Sequence, residues 1–249
     1  MTDTRRKHVP RLHVDRALAI GDTVALGAQQ VHHLGAVLRL RTGADLVLFD
    51  GRGGEYPARL AALDRKSAQA LVLEHRQPRR ESPLAVTLAQ AVARGDRMDF
   101  AVAKAVELGV AAIQPLFTER GQVKLAGDRL DRKHRHWQAV VRSAAEQAGR
   151  EVLPTVHVPC RLDGWLTDAG GERRLMLDPR ATGGPADGTT TPTSVTLLIG
   201  PESGFSDQEL DAARASGFEG VRLGPRILRT ETAGPAALAA LQTRWGDFR

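Results

Sequence analysis

Two stretches in the last third of the sequence combine glycine and proline with carboxylates and hydroxyls. They are Leu197-Leu198-Ile199-Gly200-Pro201-Glu202-Ser203-Gly204-Phe205 and Leu223-Gly224-Pro225-Arg226-Ile227-Leu228-Arg229-Thr230-Glu231-Thr232-Ala233. Glycine has no Cβ to hold a ligand away, and proline fixes φ while leaving only its carbonyl to accept. Two such loops side by side form a concave wall of amides and carbonyls, suited to an adenine edge, a ribose or a phosphate. Neither fits the dinucleotide G-x-G-x-x-G or the P-loop G-x-x-x-x-G-K-[ST] pattern. Loop chemistry therefore points to a nucleotide-like ligand and no further, and two ordinary strand-to-helix turns would use the same residues.

The elements that hold these loops can be read from hydrophobic periodicity. Each loop follows an apolar run of strand character and leads into a helical pattern. Between them, Ser206 and Glu209 form a capping box, Phe205 and Leu210 a hydrophobic staple, and Gly217 a C′ residue. Upstream, Leu84–Ala93 reads as a buried strand. Arg97–Leu108 reads as a helix burying Met98, Ala101, Val102, Ala105 and Val106 and ended by Gly109, and Val110–Phe117 as the next strand. Strand, helix, strand in this order predicts a right-handed parallel βαβ unit, hence an α/β domain with ligands at the strands' carboxyl ends. Thr118-Glu119-Arg120-Gly121 falls at such an end. A long helix, Asp128–Ala148, is closed by Gly149, and it carries Arg132, Lys133, His134 and Arg135 beside Trp137. That run is either a solvated face or a phosphate track with an aromatic for stacking. Pro154–Val158 and Arg174–Asp178 are further strands, and 181–194 is a flexible surface loop. Thr232 or Thr230 is expected to cap a last helix that runs to Trp245 with Pro235 in its first turn.

The first part of the chain has a shorter period. Asp45–Asp50 and Glu55–Leu60 flank a glycine turn as a hairpin, Ser67–Glu74 offers another strand, and Gln29–Leu40 reads as a short helix with Val31, Leu34, Val37 and Leu38 on one face. These elements make a small β-barrel-like domain over 1–76, a proline-bracketed linker over 77–83 and the α/β domain over 84–249. Residues 1–8, with Arg5, Arg6 and Lys7, read as a mobile tail. His32 and His33 point about a hundred degrees apart on a helix and lack further ligands at zinc spacing, so no metal is expected. A surface or RNA-facing role is expected for one of them. Pro159-Cys160 matches the dipeptide nucleophile of cytosine C5 methylation, but nothing around it supplies an acid or base, so a small buried residue is expected.

Composition bounds the class. The 249 residues are 42% hydrophobic and 26% charged, as in globular proteins, and one cysteine excludes a disulfide framework, which suits a reducing cytoplasm. No apolar run approaches the roughly eighteen residues of a membrane span, and the first residues lack a secretory h-region. The net charge of +6 favours a polyanionic partner without naming it.

Ile199–Phe205 and Leu223–Ala233 resemble the paired C-terminal signatures of the SPOUT methyltransferases, specifically the RsmE family. His32-His33-Leu34 through Val37-Leu38-Arg39 and Ser143–Arg150 resemble two further segments of that family. The resemblance implies a trefoil-knotted methyltransferase domain with an N-terminal PUA-like β-barrel, and a homodimer packed through the knots. It also implies methylation of N3 of one uridine, U1498, of 16S ribosomal RNA in the small ribosomal subunit, with S-adenosylmethionine as donor. The donor would be held by Leu177, Ile199, Gly200, Pro201, Glu202, Gly204, Leu223, Gly224, Ile227, Leu228 and Thr230. Catalytic candidates are Arg229, Glu146, Glu202 and Arg150, with Glu231 and Arg120 nearby. RNA contacts would fall to Arg11, His32, Arg39, Arg120, Arg132 and Lys133. The family pattern usually has glycine where Ser203 stands; at φ > 0 a serine there would carry strain of order 1 kcal/mol. Two other readings stay open: a SPOUT enzyme acting on another RNA such as tRNA, and an RNA-binding homologue that has lost catalysis.

Overall fold

Segment boundaries follow the turn glycines. The computed structural model describes residues 9–248, so the expected basic tail (1–8) lies outside the described residues. The chain divides into two compact units, one running up to Glu81 and including Ala145–Leu153, the other made of Ser82–Ala144 and Pro154 onward.

The first unit contains β1 (Arg11–His13), β2 (Thr23–Ala25), α1 (Ala28–His32), β3 (Asp45–Phe49), β4 (Tyr56–Leu63) and β5 (Ala68–Val72). The strands form one sheet in the order β1-β3-β4-β5-β2, with β1 parallel to β3 and the other pairs antiparallel. Alternation puts Leu46, Leu48, Ala58, Leu60, Ala70 and Val72 on a shared core with Val31 and Leu34. The sheet curls round this core as a half-barrel, with β1 and β2 as edges. The expected Gln29–Leu40 helix forms only in part. After α1 the chain widens into a π-turn, His33–Val37, in which the Leu38 amide donates to the His33 carbonyl at 2.9 Å. Bonding five residues back changes the angular period, so Val31 and Leu34 stay buried while Val37 and Leu38 are exposed.

The expected linker does not exist as a separate segment. Arg80 donates to Glu55 at 2.8 Å and Glu81 pairs with Arg150, so both fold with the first unit. The Ser82 hydroxyl instead donates to Gln242 Oε1 at 2.6 Å in the second. Along this stretch the chain passes from the first unit to the second between Glu81 and Ser82.

The second unit begins with β6 (Ala85–Ala91), α2 (Asp96–Glu107) and β7 (Ala112–Phe117), and α3 (Asp128–Ala148) contributes all but its last residues. Short β8 (Thr155–Val156), β9 (Cys160–Arg161) and α4 (Leu162–Trp165) lead to β10 (Arg173–Leu177) and β11 (Ser194–Ile199). Finally come α5 (Asp207–Ala215), β12 (Glu219–Val221) and α6 (Thr230–Trp245). The sheet is entirely parallel, in the order β12-β10-β11-β6-β7-β8, with β9 also beside β7. The five apolar residues expected on the inner face of α2 are all buried, each large one contributing about 2 kcal/mol relative to exposure. Gly109 (φ 81°) and Gly149 (φ 76°) end their helices in the left-handed region.

Two expectations change. Trp137 is 1% exposed and belongs to the core, because its position on α3 faces inward between the charged residues; it offers no stacking surface. Pro235 sits in the second turn of α6, since Thr230 is the first helical residue and the Thr230 hydroxyl is used elsewhere than as a cap. Among the described residues no helix is long and apolar enough to cross a membrane.

Candidate functional site

A cavity of about 980 Å³ opens at the carboxyl ends of the parallel strands. That is where an open α/β sheet leaves its loops divergent and its helix N-termini convergent. Its walls come from the segments that follow β6, β7, β10, β11 and β12.

The first Gly-Pro loop is braced from two sides. The Gly204 amide donates to the Pro201 carbonyl at 2.9 Å, closing a β-turn with Glu202 and Ser203 at its centre. Gly204 takes φ 70°, whereas Ser203 is not in the left-handed region; among described non-glycine residues only Arg39 and Arg79 are. The strain that serine would carry at φ > 0 is therefore absent, and the Ser203 hydroxyl donates to the Arg120 carbonyl at 2.9 Å. Arg120 Nη1 donates to the Phe205 carbonyl at 3.1 Å and the Glu119 amide to Glu209 at 2.7 Å, which ties the segment after β7 to this loop. A Cβ on Gly200 would come within 3.0 Å of the Phe205 ring, so the loop root can pass that close only as glycine. The capping box at Ser206 and Glu209 forms in both directions, and the Phe205 and Leu210 side chains bury together.

The second loop spans residues 222–229. Gly224 turns it at φ 65°, the Arg222 amide donates to the Gly183 carbonyl at 2.7 Å, and Thr230 Oγ1 donates to the Gly200 carbonyl at 2.6 Å. Ile227 is 85% exposed at the cavity, an apolar side chain with nothing to cover it.

Charge is unevenly distributed here. Arg97, in the first turn of α2, stands 3.2 Å from Glu202 and 3.9 Å from Glu231, and Glu231 Oε2 is buried without a hydrogen-bond partner. Asp178, 4% exposed, receives Arg180 at 3.2 Å and Arg214 at 3.3 Å. Burial pushes its carboxyl up, but these two guanidinium groups and the Arg180 amide outweigh burial and hold it below the usual range. Arg226 and Arg229 are exposed at the cavity, and among the described residues their side chains make no hydrogen bond or ion pair.

Every residue expected to hold the donor lines this cavity: Leu177, Ile199, Gly200, Pro201, Glu202, Gly204, Leu223, Gly224, Ile227, Leu228 and Thr230. Arg229, Glu231 and Arg120 line it too. Glu146 and Arg150 do not. They fold with the first unit, where Glu146 accepts from the His13 amide at 2.8 Å and Arg150, 7% exposed, is ion-paired with Glu81. Arg11 is likewise drawn inward, pairing with Glu55 and donating to the Arg150 carbonyl at 3.1 Å. Burial raises the Glu55 carboxyl, but hydrogen bonds and charge from Arg80 and Arg11 more than offset it and hold Glu55 below the usual range. His32 and Arg39 are exposed, His32 beside a shallow depression that also involves Arg65 and Lys66. Arg132 is exposed and Lys133 half-buried on α3. Cys160 is half-buried, and burial followed by Asp163 pushes its thiol up, so it is not an activated nucleophile.

Sequence reasoning missed Arg97 and Asp178. Asp178 directly follows β10 and Arg97 lies in the first turn of the helix after β6, so a closer reading of strand ends and the helix starts beyond them in a parallel sheet would have found them.

Residues 80–242 match the RNA methyltransferase domain family, and residues 26–73 match the RNA methyltransferase PUA domain. The class is thus that of the RNA methyltransferases. The ribosomal RNA small subunit methyltransferase E of Synechocystis is 37% identical over 237 residues, 93% of this chain and 76% of that protein. The enzyme of the same name from Neisseria gonorrhoeae, solved with S-adenosylmethionine bound, is 41% identical with a TM-score of 0.90, covering 97% of this chain and 100% of that one. A Legionella pneumophila methyltransferase solved with the same cofactor gives 37% and 0.93 over 96% of this chain and 99% of that one. The chain belongs to the ribosomal RNA small subunit methyltransferase E family.

Proposed function

We propose that this chain methylates N3 of U1498 in the 16S ribosomal RNA of the small subunit, using S-adenosylmethionine, as a cytoplasmic homodimer. The observation that carries the reading is the cavity walled by the two Gly-Pro loops, with Arg229 exposed inside it. The names and bound cofactor of the relatives above support it.

The residues present fit the donor. Leu177, Ile199, Leu223, Ile227 and Leu228 supply apolar walls for an adenine. The turn at Gly200–Gly204 and the bend at Gly224 bring backbone close enough to read its edge and the ribose. When bound, the donor supplies an electrophilic methyl group on a sulfonium. The chain then has three tasks: to align the uracil, to exclude water and to handle the N3 proton. Arg229 is assigned to the uracil oxygens, where negative charge develops as N3 loses its proton. Glu202, the more exposed of the two carboxylates beside Arg97, is assigned to accept that proton. Glu146 and Arg150 are assigned to shaping residues 145–153 within the first unit rather than to proton transfer. Arg39, His32, Arg120, Arg132 and Lys133 are assigned to RNA. N3 lies on the pairing edge, so the uridine must leave its stack to react.

The same reading takes the C-terminal chain as knotted. β12 lies at the sheet edge beside β10, whereas α6 packs on β11, β6 and α2, so residues 222–229 must carry the chain back across neighbouring strands.

The test is mass spectrometry of ribosomal RNA after small subunits from a strain lacking the enzyme are incubated with the protein and S-adenosylmethionine. One new N3-methyluridine at U1498 is expected. Modification of added tRNA instead would replace the substrate, and donor binding without any methylation would make the chain a binding protein.

A further inference from the structure

Beneath the two loops runs a buried polar chain that none of the roles above uses. Gln90, near the end of β6, is 0% exposed. Its Nε2 lies 3.2 Å from the Ala91 carbonyl and 2.9 Å from Thr230 Oγ1, and Thr230 Oγ1 lies 2.6 Å from the Gly200 carbonyl. Carbonyl oxygens only accept, so the amide edge facing Ala91 must be the NH₂. That edge then donates to the Thr230 hydroxyl as well. A hydroxyl has a single proton, and with Gln90 donating into its oxygen that proton goes to Gly200. The direction of the chain is therefore compelled at every link, from the Gln90 amide through Thr230 to Gly200. Close packing keeps the amide in place: a Cβ on Gly234 would come within 3.1 Å of Gln90 Oε1.

Gly200 is the first residue after β11, and Thr230 is the first residue of α6. They are the roots of the first and second loops, and both line the cavity. We propose that Gln90 is a positioning residue for methyl transfer: it commits the Thr230 hydroxyl to Gly200, fastening one donor loop to the other and setting the cavity's width. The proposal rests on the reading that these loops hold S-adenosylmethionine. Gln90 touches no ligand itself; it acts through Thr230.

Calorimetric titration of the full-length chain with S-adenosylmethionine tests this, with thermal melting as a check on folding. Gln90→Leu removes the donor. Gln90→Glu, titrated at a pH where its carboxyl is ionised, keeps the size but reverses the polarity, because a carboxylate accepts the Thr230 hydrogen bond and draws it away from Gly200. Each should weaken donor binding about tenfold, the loss of one buried hydrogen bond with its partner left unsatisfied. Thr230→Val should do the same. The Gln90→Leu/Thr230→Val double variant should be no weaker than the weaker single, since both break one chain. Parent-like binding by a folded Gln90→Leu or Gln90→Glu protein, or fully additive losses in the double variant, would overturn the proposal. If Gln90→Leu does not fold, Gln90→Glu and Thr230→Val decide alone. No binding by the parent chain would overturn the functional reading itself, a result distinct from any confined to the variants.

Discussion

Two groups of arginines, one in each unit, behave in opposite ways. In the first, Arg11, Arg80 and Arg150 face Glu55 and Glu81, and Glu151 accepts from the Arg80 amide at 3.0 Å, so guanidinium and carboxylate close on one another. In the second, Arg226 and Arg229 stand exposed at the cavity. A half-buried ion pair gains little net energy because desolvation offsets attraction; what it gives is a unique arrangement, since any slip leaves a charge unpaired. The first unit's cluster therefore specifies how residues 145–153 lie on the curled sheet. An exposed guanidinium without a carboxylate beside it does the reverse: it keeps its charge for something that arrives later.

That contrast can be broken from either side. Arg229→Ala should lower the rate of methyl transfer about 10²- to 10³-fold, the usual effect of removing one charge-stabilising donor, with melting temperature and donor affinity near those of the parent. An equal loss in donor affinity would mean that Arg229 binds the donor instead. Arg150→Met should destabilise the first unit by about 3 kcal/mol in urea titration, because Glu81 loses its partner, while donor affinity stays unchanged. Weakened donor binding at unchanged stability would move residues 145–153 into the donor site and erase the distinction. A third prediction concerns pH. The folded Glu55 carboxyl titrates below its ordinary value of 4.5, so its contribution is complete above that value and is lost as pH falls through the folded one. Unfolding free energy measured below about pH 4.5 should fall with acid, and the slope should be shallower in Glu55→Gln; identical slopes would show the cluster to be indifferent to this charge. The smallest effect is expected from Ser203→Gly. With no left-handed backbone to relax, donor affinity should change by less than about twofold.

Much of the second unit was legible because its signals are local. Gly109, Gly149 and Gly217 announce helix ends within a residue, the Ser206 and Glu209 pair announces a helix start, and the Gly-Pro dipeptides mark where backbone comes close to a ligand. The cavity's lining could be listed almost residue by residue for the same reason: loops that follow parallel strands share one end of the sheet. What escaped was non-local or depended on an altered period. Glu81 and Arg150 are 69 positions apart and Arg11 and Glu55 are 44 apart, and no pattern in either neighbourhood names the partner. Val37 and Leu38 looked inward on a 3.6-residue period, and the π-turn carried them out. Trp137 sat among four basic residues in sequence, yet one position of helical rotation placed it in the core.

The strand order has a consequence for how the protein is made. β6 ends at residue 91, but its neighbour β11 is not complete until residue 199, so more than a hundred residues must be synthesised before the sheet's central pairing can form. Contacts so distant in sequence are slow to form, because the entropy of closing the loop is lost before any pairing rewards it. The clamp comes later still, since Gly200 waits for Thr230. At typical elongation rates of roughly 5–20 residues per second, the first unit's strands lead the cavity by about 8 to 30 seconds. A nascent chain would thus carry its curled sheet well before it could hold a methyl donor.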